Sequence, residues 1–454
     1  MDLLIRNAAI YPGPPDGTLI ARGHLRIRDG RIAAMGPGAP PATPEPAATL
    51  EGEGLLAIPG LVNGHTHSAE VLRRGTTDRL RLDAWLAAVW PDLDPLPPEA
   101  TAAAARLAAV EMLKGGTTAA VDHLRRFPVA LPNIEAAAAA YREVGLRVAL
   151  AVMVRDRPAP PGDLPPAQDG EEQLAVCEAA AGRWHRPEEG MAVMLGPSGP
   201  QRCSDALLRG VAALAQRLDL CVHTHLAETR EQVLQSRALD GCGPVDRLAA
   251  HGLLIPRCVL AHAVWVNGEE LERLGRGGVT VVHNPASNLK LGSGYAPVPR
   301  MRALGIRLAL GSDGAASNDA LDMFEAVKLA ALLSRLGEDD PDRWLSAGEA
   351  LGMALQGGAA AMGMPEGLGR LAVGAPADLA LLRLDSPALV PLGDPALHLG
   401  LCRPTTAVDT VIAGGRMVVR HGRVVTVDEE AVYREARAWG ERLRAPARPG
   451  QGRG

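Results

Sequence analysis

The sequence predicts an α/β fold: a (β/α)₈ TIM barrel carrying a small β-sandwich domain built from both termini. Three observations predict it. Eight apolar strand-like runs alternate with Ala/Leu-rich helical stretches through the middle of the chain, the two ends share a strand-and-turn texture, and no other repeat period interrupts them. At 454 residues the chain exceeds ordinary single-domain size, so a large domain with a smaller companion is the natural division.

The first residues, LLIRNAAIY and GHLRIRDGRIAAM, read as short strands, with Asp29-Gly30 as a hairpin signal. Residues 37–49 are rich in Pro, Ala and Gly and read as a loop. Barrel strands are expected in LAIPGLVNG, TTAAVDHL, LRVALAVMV, MAVMLGPS, LCVHTHLAE, CVLAHAVW, TVVHNPAS and RLALGSDG. Helices are expected at 99–114, 134–144, 171–184, 204–218, 230–239, 268–275 and 319–335. The Pro-rich stretch 157–170 follows the third strand and reads equally as a lid or a passive loop. ADLALLRLD and VDTVIAGGRMVVRHGRVVTVD return to strands, with Gly-Gly and His-Gly turns. The expected division is 1–56 and 369–430 for the sandwich, 57–368 for the catalytic barrel, and 431–454 for a terminal helix and disordered tail.

Composition narrows the function. A net charge of -5 offers no basic face, which argues against nucleic acid. No run of about 18 uncharged apolar residues suggests a membrane span. The N-terminus lacks a signal-peptide pattern, and six scattered cysteines form no CxxC pair, so a cytoplasmic chain with reduced thiols is expected. The expected partner is a small molecule, and a homo-oligomer stays open.

His, Asp and Glu gather at the predicted C-terminal ends of the strands, where barrel enzymes place their sites. His65 and His67 close the first strand, and residues two apart on a strand point to one side. His225 ends the fifth strand and Asp313 the eighth. The four make an N₃O set suited to zinc with room for water. Glu228, just beyond His225, is a carboxylate free for proton shuttling, and His262 ends strand six. His223 lies one layer lower and reads as a histidine supporting the ligands.

The ordered motifs PGLVNGHTH, HTHLAET, LAHAVW, VVHNPASNLKLGSG and LGSDGAASN resemble the metal-dependent amidohydrolase superfamily. They look most like its deaminase and chlorohydrolase branch, which includes adenosylhomocysteine/methylthioadenosine, guanine and 8-oxoguanine deaminases and triazine hydrolases. The resemblance implies His65, His67, His225 and Asp313 as metal ligands, with Glu228, His262 and Asp313 catalytic. It implies one divalent ion per chain, zinc foremost and iron as the alternative. Binuclear relatives need a lysine at the end of strand four, and the three lysines Lys114, Lys290 and Lys328 all lie elsewhere.

The implied activity is hydrolytic deamination of an amino-substituted N-heterocycle. Nucleoside-deaminating members carry an acidic residue where Leu93 stands, a histidine at Ser198 and an arginine at Val152. These departures favour a free purine or pyrimidine base, a pterin or a hydroxy-triazine. An adenosylhomocysteine-, methylthioadenosine- or adenosine-type nucleoside deaminase and a triazine dechlorinase are the alternatives. Candidate substrate contacts are His123, Ser198, Gln201, Arg202 and Trp90, while Asn288 and Lys290 read equally as loop-shaping residues.

Overall fold

The computed structural model describes residues 2–15, 17–40, 46–158, 168–336, 338–364 and 367–444. Eight parallel strands form the barrel: Leu61–Thr66, Thr117–Leu124, Arg147–Val154, Met191–Pro197, Val222–Leu226, Cys258–His262, Thr280–His283 and Arg307–Leu310. They pair in sequence order. Just past the eighth strand, the Asp313 amide donates to the His65 carbonyl at 3.0 Å, bringing the last strand's end against the first.

Seven of these strands are buried along almost their whole length, as parallel strands covered by helices must be. Small residues fill the interior: Ala119, Ala149, Ala151, Ala192 and Ala309 sit with Val62, Val259, Val282 and Met194 in one buried cluster. Met362, from the helix Gly358–Met362, joins the same cluster.

Sequence and structure agree closely on the helices. Pro98–Lys114, Gly170–Trp184, Asp205–Leu218 and Arg230–Asp240 fall at or within two residues of expectation. Asp169 and Asn267 form capping boxes with Glu172 and Glu270, which fixes two of the starts. The helix expected at 319–335 begins later, at Met323, because the Asp322 carboxylate caps the amides of Phe324 and Glu325. The run LAIPGLVNG is not one strand. It divides at Gly60: Leu55–Pro59 joins the terminal sheet and Leu61–Thr66 opens the barrel. A Cβ at Gly60 would lie 2.3 Å from Thr118 Oγ1, so the chain changes sheets where no side chain fits.

Both termini build one nine-stranded mixed sheet. Leu55–Pro59 links its halves, pairing parallel to Leu3–Ile10 and antiparallel to Leu379–Arg383. The hairpin Ile20–Arg28/Arg31–Pro37 turns on Asp29 and Gly30, both at positive φ. Gly414-Gly415 makes the corresponding turn near the end. The Pro-rich stretch falls largely on 159–167, and the expected tail on 445–454, both outside the described residues. Among the described residues, no helix is long and apolar enough to cross a membrane.

Candidate active site

At the C-terminal ends of the barrel strands, one buried pocket is lined by His67, His225, Glu228, His262 and Asp313, with Glu70, Trp85, Trp90, Arg202 and Ser317. The backbone is contorted to present these groups. Ala227, His262, Ala263 and Asp313 all adopt positive φ, a conformation that non-glycine residues hold only where surrounding structure imposes it.

The imidazoles are oriented from behind. His67 Nδ1 donates to the His123 carbonyl at 2.7 Å, and His225 Nδ1 to the Ser198 carbonyl at 2.8 Å. A carbonyl only accepts, so both protons sit on Nδ1 and both Nε2 atoms present lone pairs. These two Nε2 atoms lie 3.2 Å apart with no proton between them. His65 Nδ1 is 2.7 Å from His223 Nε2, while its own buried Nε2 has no hydrogen-bond partner. Asp313 Oδ1 lies 3.4 Å from His65 Nε2 and 3.5 Å from His67 Nε2. Burial pushes the His65 imidazole down to about 4 and holds His67 and His225 below the usual histidine range, so the rings are neutral near pH 7. Converging neutral nitrogens and a carboxylate suit a cation.

The proton-handling groups sit beside this cluster. His262 Nε2 is 3.9 Å from both Glu228 and Asp313, and its Nδ1 bonds Asn288 Oδ1 at 2.9 Å. Asn288 therefore fixes His262 rather than merely shaping its loop. Ser293 Oγ donates to Glu228 at 3.3 Å. Burial raises the Glu228 carboxyl above its ordinary value. Lys290 is turned away, bonding the Ala316 carbonyl and Asp319. The strand-four segment Met191–Pro197 holds no lysine.

Of the five candidate substrate contacts, Arg202 and Trp90 lie on the pocket wall. The other three are not among its lining residues. His123 is fully buried behind the cluster, its Nε2 bonded to the Gly196 carbonyl at 3.0 Å. One of its ring nitrogens lies within 4.8 Å of ligand atoms of His65, His67 and His225. Ser198 is buried and contributes its carbonyl to His225, while Gln201 packs on Gly199.

The departures at Leu93 and Val152 also look different in three dimensions. Both side chains are core. One residue past Leu93, Asp94 engages Arg125 at 2.6 Å, and Arg155 follows directly after strand three. The guanidinium groups of Arg125, Arg202 and Arg155 lie 3.2, 4.9 and 5.9 Å from the Trp90 ring centre. Asp94 and Arg155 lie 3.9 Å apart, and neither is among the residues lining the pocket. Glu70 was not anticipated from the sequence, although a carboxylate three residues after the His-Thr-His motif was a usable signal.

Comparison with known proteins matches this architecture over nearly its whole length. The chain is 40% identical to a 5-methylthioadenosine/S-adenosylhomocysteine deaminase of Desulforudis audaxviator, covering 98% of this chain and 99% of that protein. A zinc-bound adenosine deaminase structure from Xanthomonas campestris superposes with a TM-score of 0.90 at 32% identity, covering 98% of each chain. A zinc complex of atrazine chlorohydrolase from Arthrobacter aurescens gives 0.89 at 30% identity, over 96% of this chain and 100% of that one. The amidohydrolase family profile spans residues 56–418. With the histidine-lined pocket at the strand ends, this extent of likeness establishes that the chain belongs to the amidohydrolase family, as a hydrolase of carbon–nitrogen bonds in cyclic amidines.

Proposed function

We propose that the protein deaminates adenosine-type nucleosides, S-adenosylhomocysteine and methylthioadenosine foremost, rather than a free heterocycle. The likeness to the Desulforudis deaminase carries this reading, at 40% identity over 98% of the chain. The arrangement of the pocket supports it. Its floor holds the imidazoles and proton-handling carboxylates, and its wall holds Trp90 with Arg202. Arg155 stands 5.9 Å from the same indole. An indole face suits a flat base or thioether, and guanidinium groups suit the amino-acid carboxylate of adenosylhomocysteine.

In this proposal His65, His67, His225 and Asp313 hold one divalent ion, zinc or iron. The ion when bound supplies the acidity that makes water a nucleophile near neutral pH. Asp313 takes the proton from the attacking water. Glu228, whose carboxyl burial favours the protonated form, delivers a proton to the ring nitrogen beside the reacting carbon. His262, whose Nδ1–H is held by Asn288 Oδ1, donates from Nε2 in its doubly protonated form to the oxygen as charge develops there, a contribution of about 3–4 kcal/mol in comparable sites. Asp313 passes the water proton to the amine, the carbon–nitrogen bond breaks to release ammonia, and the hydroxyl proton goes to Glu228 as the carbonyl forms.

The test compares kcat/KM for ammonia release from S-adenosylhomocysteine, methylthioadenosine and adenosine with guanine, isoxanthopterin and N-alkyl hydroxytriazines. Chloride release from chlorotriazines is followed in parallel. Nucleosides should be preferred, and Arg202→Ala should weaken adenosylhomocysteine more than methylthioadenosine. Preference for any free heterocycle would overturn the nucleoside reading.

A further inference from the structure

Glu70 is a buried glutamate on the pocket wall that the steps above leave unused. It sits in the two-turn 3₁₀ helix Ser68–Arg73 that follows the first barrel strand. Its hydrogen bonds all fall on one oxygen. Oε2 accepts from the Ala316 amide, the Ser317 amide and the Ser317 hydroxyl, each at 3.2 Å. Oε1 accepts none among the described residues. A carboxylate so anchored on one oxygen presents the other at a fixed place in a pocket that holds the reacting groups.

That place is next to Asp313. A Cβ built on Gly314, the following residue, would lie 1.9 Å from Glu70 Oε2 and 2.7 Å from Oε1. The carboxylate thus occupies the space where residue 314 would carry a side chain, one residue from the proposed aspartate ligand. In an adenosine-type substrate, the hydrogen-bond donors are the exocyclic amine and the sugar hydroxyls. Only the amine is attached to the carbon under attack, so it is the donor brought to Asp313's side of the pocket.

We propose that Glu70 is a specificity residue whose Oε1 accepts a hydrogen bond from the substrate's exocyclic amine, selecting amino-substituted rings over rings with other leaving groups. This rests on the deaminase reading above. Glu70→Gln is the informative change. The three donors from 316 and 317 demand an acceptor, so they keep the amide oxygen at the Oε2 position and turn the NH₂ toward the pocket. The anchor survives while an acceptor becomes a donor.

Full-length, metal-loaded wild type, Glu70→Gln and Glu70→Asp are compared on adenosine and on 6-chloropurine riboside, which has no N–H on its leaving group. Purine riboside, which has no leaving group, serves as a competitive inhibitor. Metal content and Tm are measured alongside. Losing the hydrogen bond to Oε1 should lower kcat/KM for adenosine by about 10-fold. The chloro substrate and the inhibition constant of purine riboside should change by less than about 3-fold, since neither offers the bond. Glu70→Asp, which keeps the carboxyl group but withdraws it, should fall between. Equal losses on amino and chloro substrates, no loss on adenosine, or collapse of both variants would overturn the proposal. If wild type takes no adenosine-type nucleoside, the functional reading fails by itself. The amino/chloro comparison then moves to the heterocycle that is accepted and still decides the role of Glu70.

Discussion

At the residue scale, the site separates groups that hold position from groups that move protons. His223, His123 and Ser198 do the first, fixing His65 and the Nδ1 protons of His67 and His225. Glu228 is proposed to do the second. Glu228→Gln keeps the shape and the bond from Ser293 but removes the transferable proton. It should lower kcat by about 10²–10⁴-fold. Metal content and Tm should stay at wild-type values, and a variant with near-normal turnover would remove Glu228 from the proton path. The ligand candidates were legible in the sequence because period-two spacing and strand ends are local properties. The supporting roles of His123 and Ser198 were not, since they depend on carbonyls reaching across from neighbouring strands.

At the element scale, the turn after strand eight is the tightest part of the site. Gly314 leaves room for Glu70, whose carboxylate in turn binds the amides of Ala316 and Ser317. Gly314→Ala places a methyl inside that carboxylate and must displace either it or the backbone beside Asp313. Overpacking of this kind typically costs about 1–3 kcal/mol. The variant should therefore show a lowered Tm and weakened metal retention, measured by thermal unfolding and elemental analysis. Wild-type values of both would show that the turn has slack. The sequence predicted the element that ends at Asp313, but a glycine's neighbour 244 residues earlier in the chain is a tertiary fact.

At the scale of the whole molecule, several histidines are buried together in neutral form. His65 has a folded value near 4 against about 6.5 for an unstructured chain. Its folded pKa is depressed, so below about pH 6.5 the unfolded chain binds more protons than the folded one. Stability is therefore lost as pH falls from about 6.5 toward 4. Metal and protons compete for the same nitrogens, so bound metal opposes this loss. Thermal unfolding of chelator-treated protein should show Tm dropping between pH 7 and 5. Protein holding about one ion per chain should resist the drop, and a flat profile for metal-free protein would contradict the neutral cluster.

The sequence by itself determined the architecture, because apolar runs of strand length alternating with amphipathic helices leave few arrangements other than a barrel. It also determined which residues reach the strand ends. Only the tertiary structure decided what surrounds them. The single run LAIPGLVNG serves two sheets, since pairing partners rather than propensity choose where a strand ends. Asp94 and Arg155 lie beside Trp90 although neither occupies the position where motif comparison looked for an acid or an arginine. Position-by-position reading registers the chain's order, whereas the pocket registers only distance.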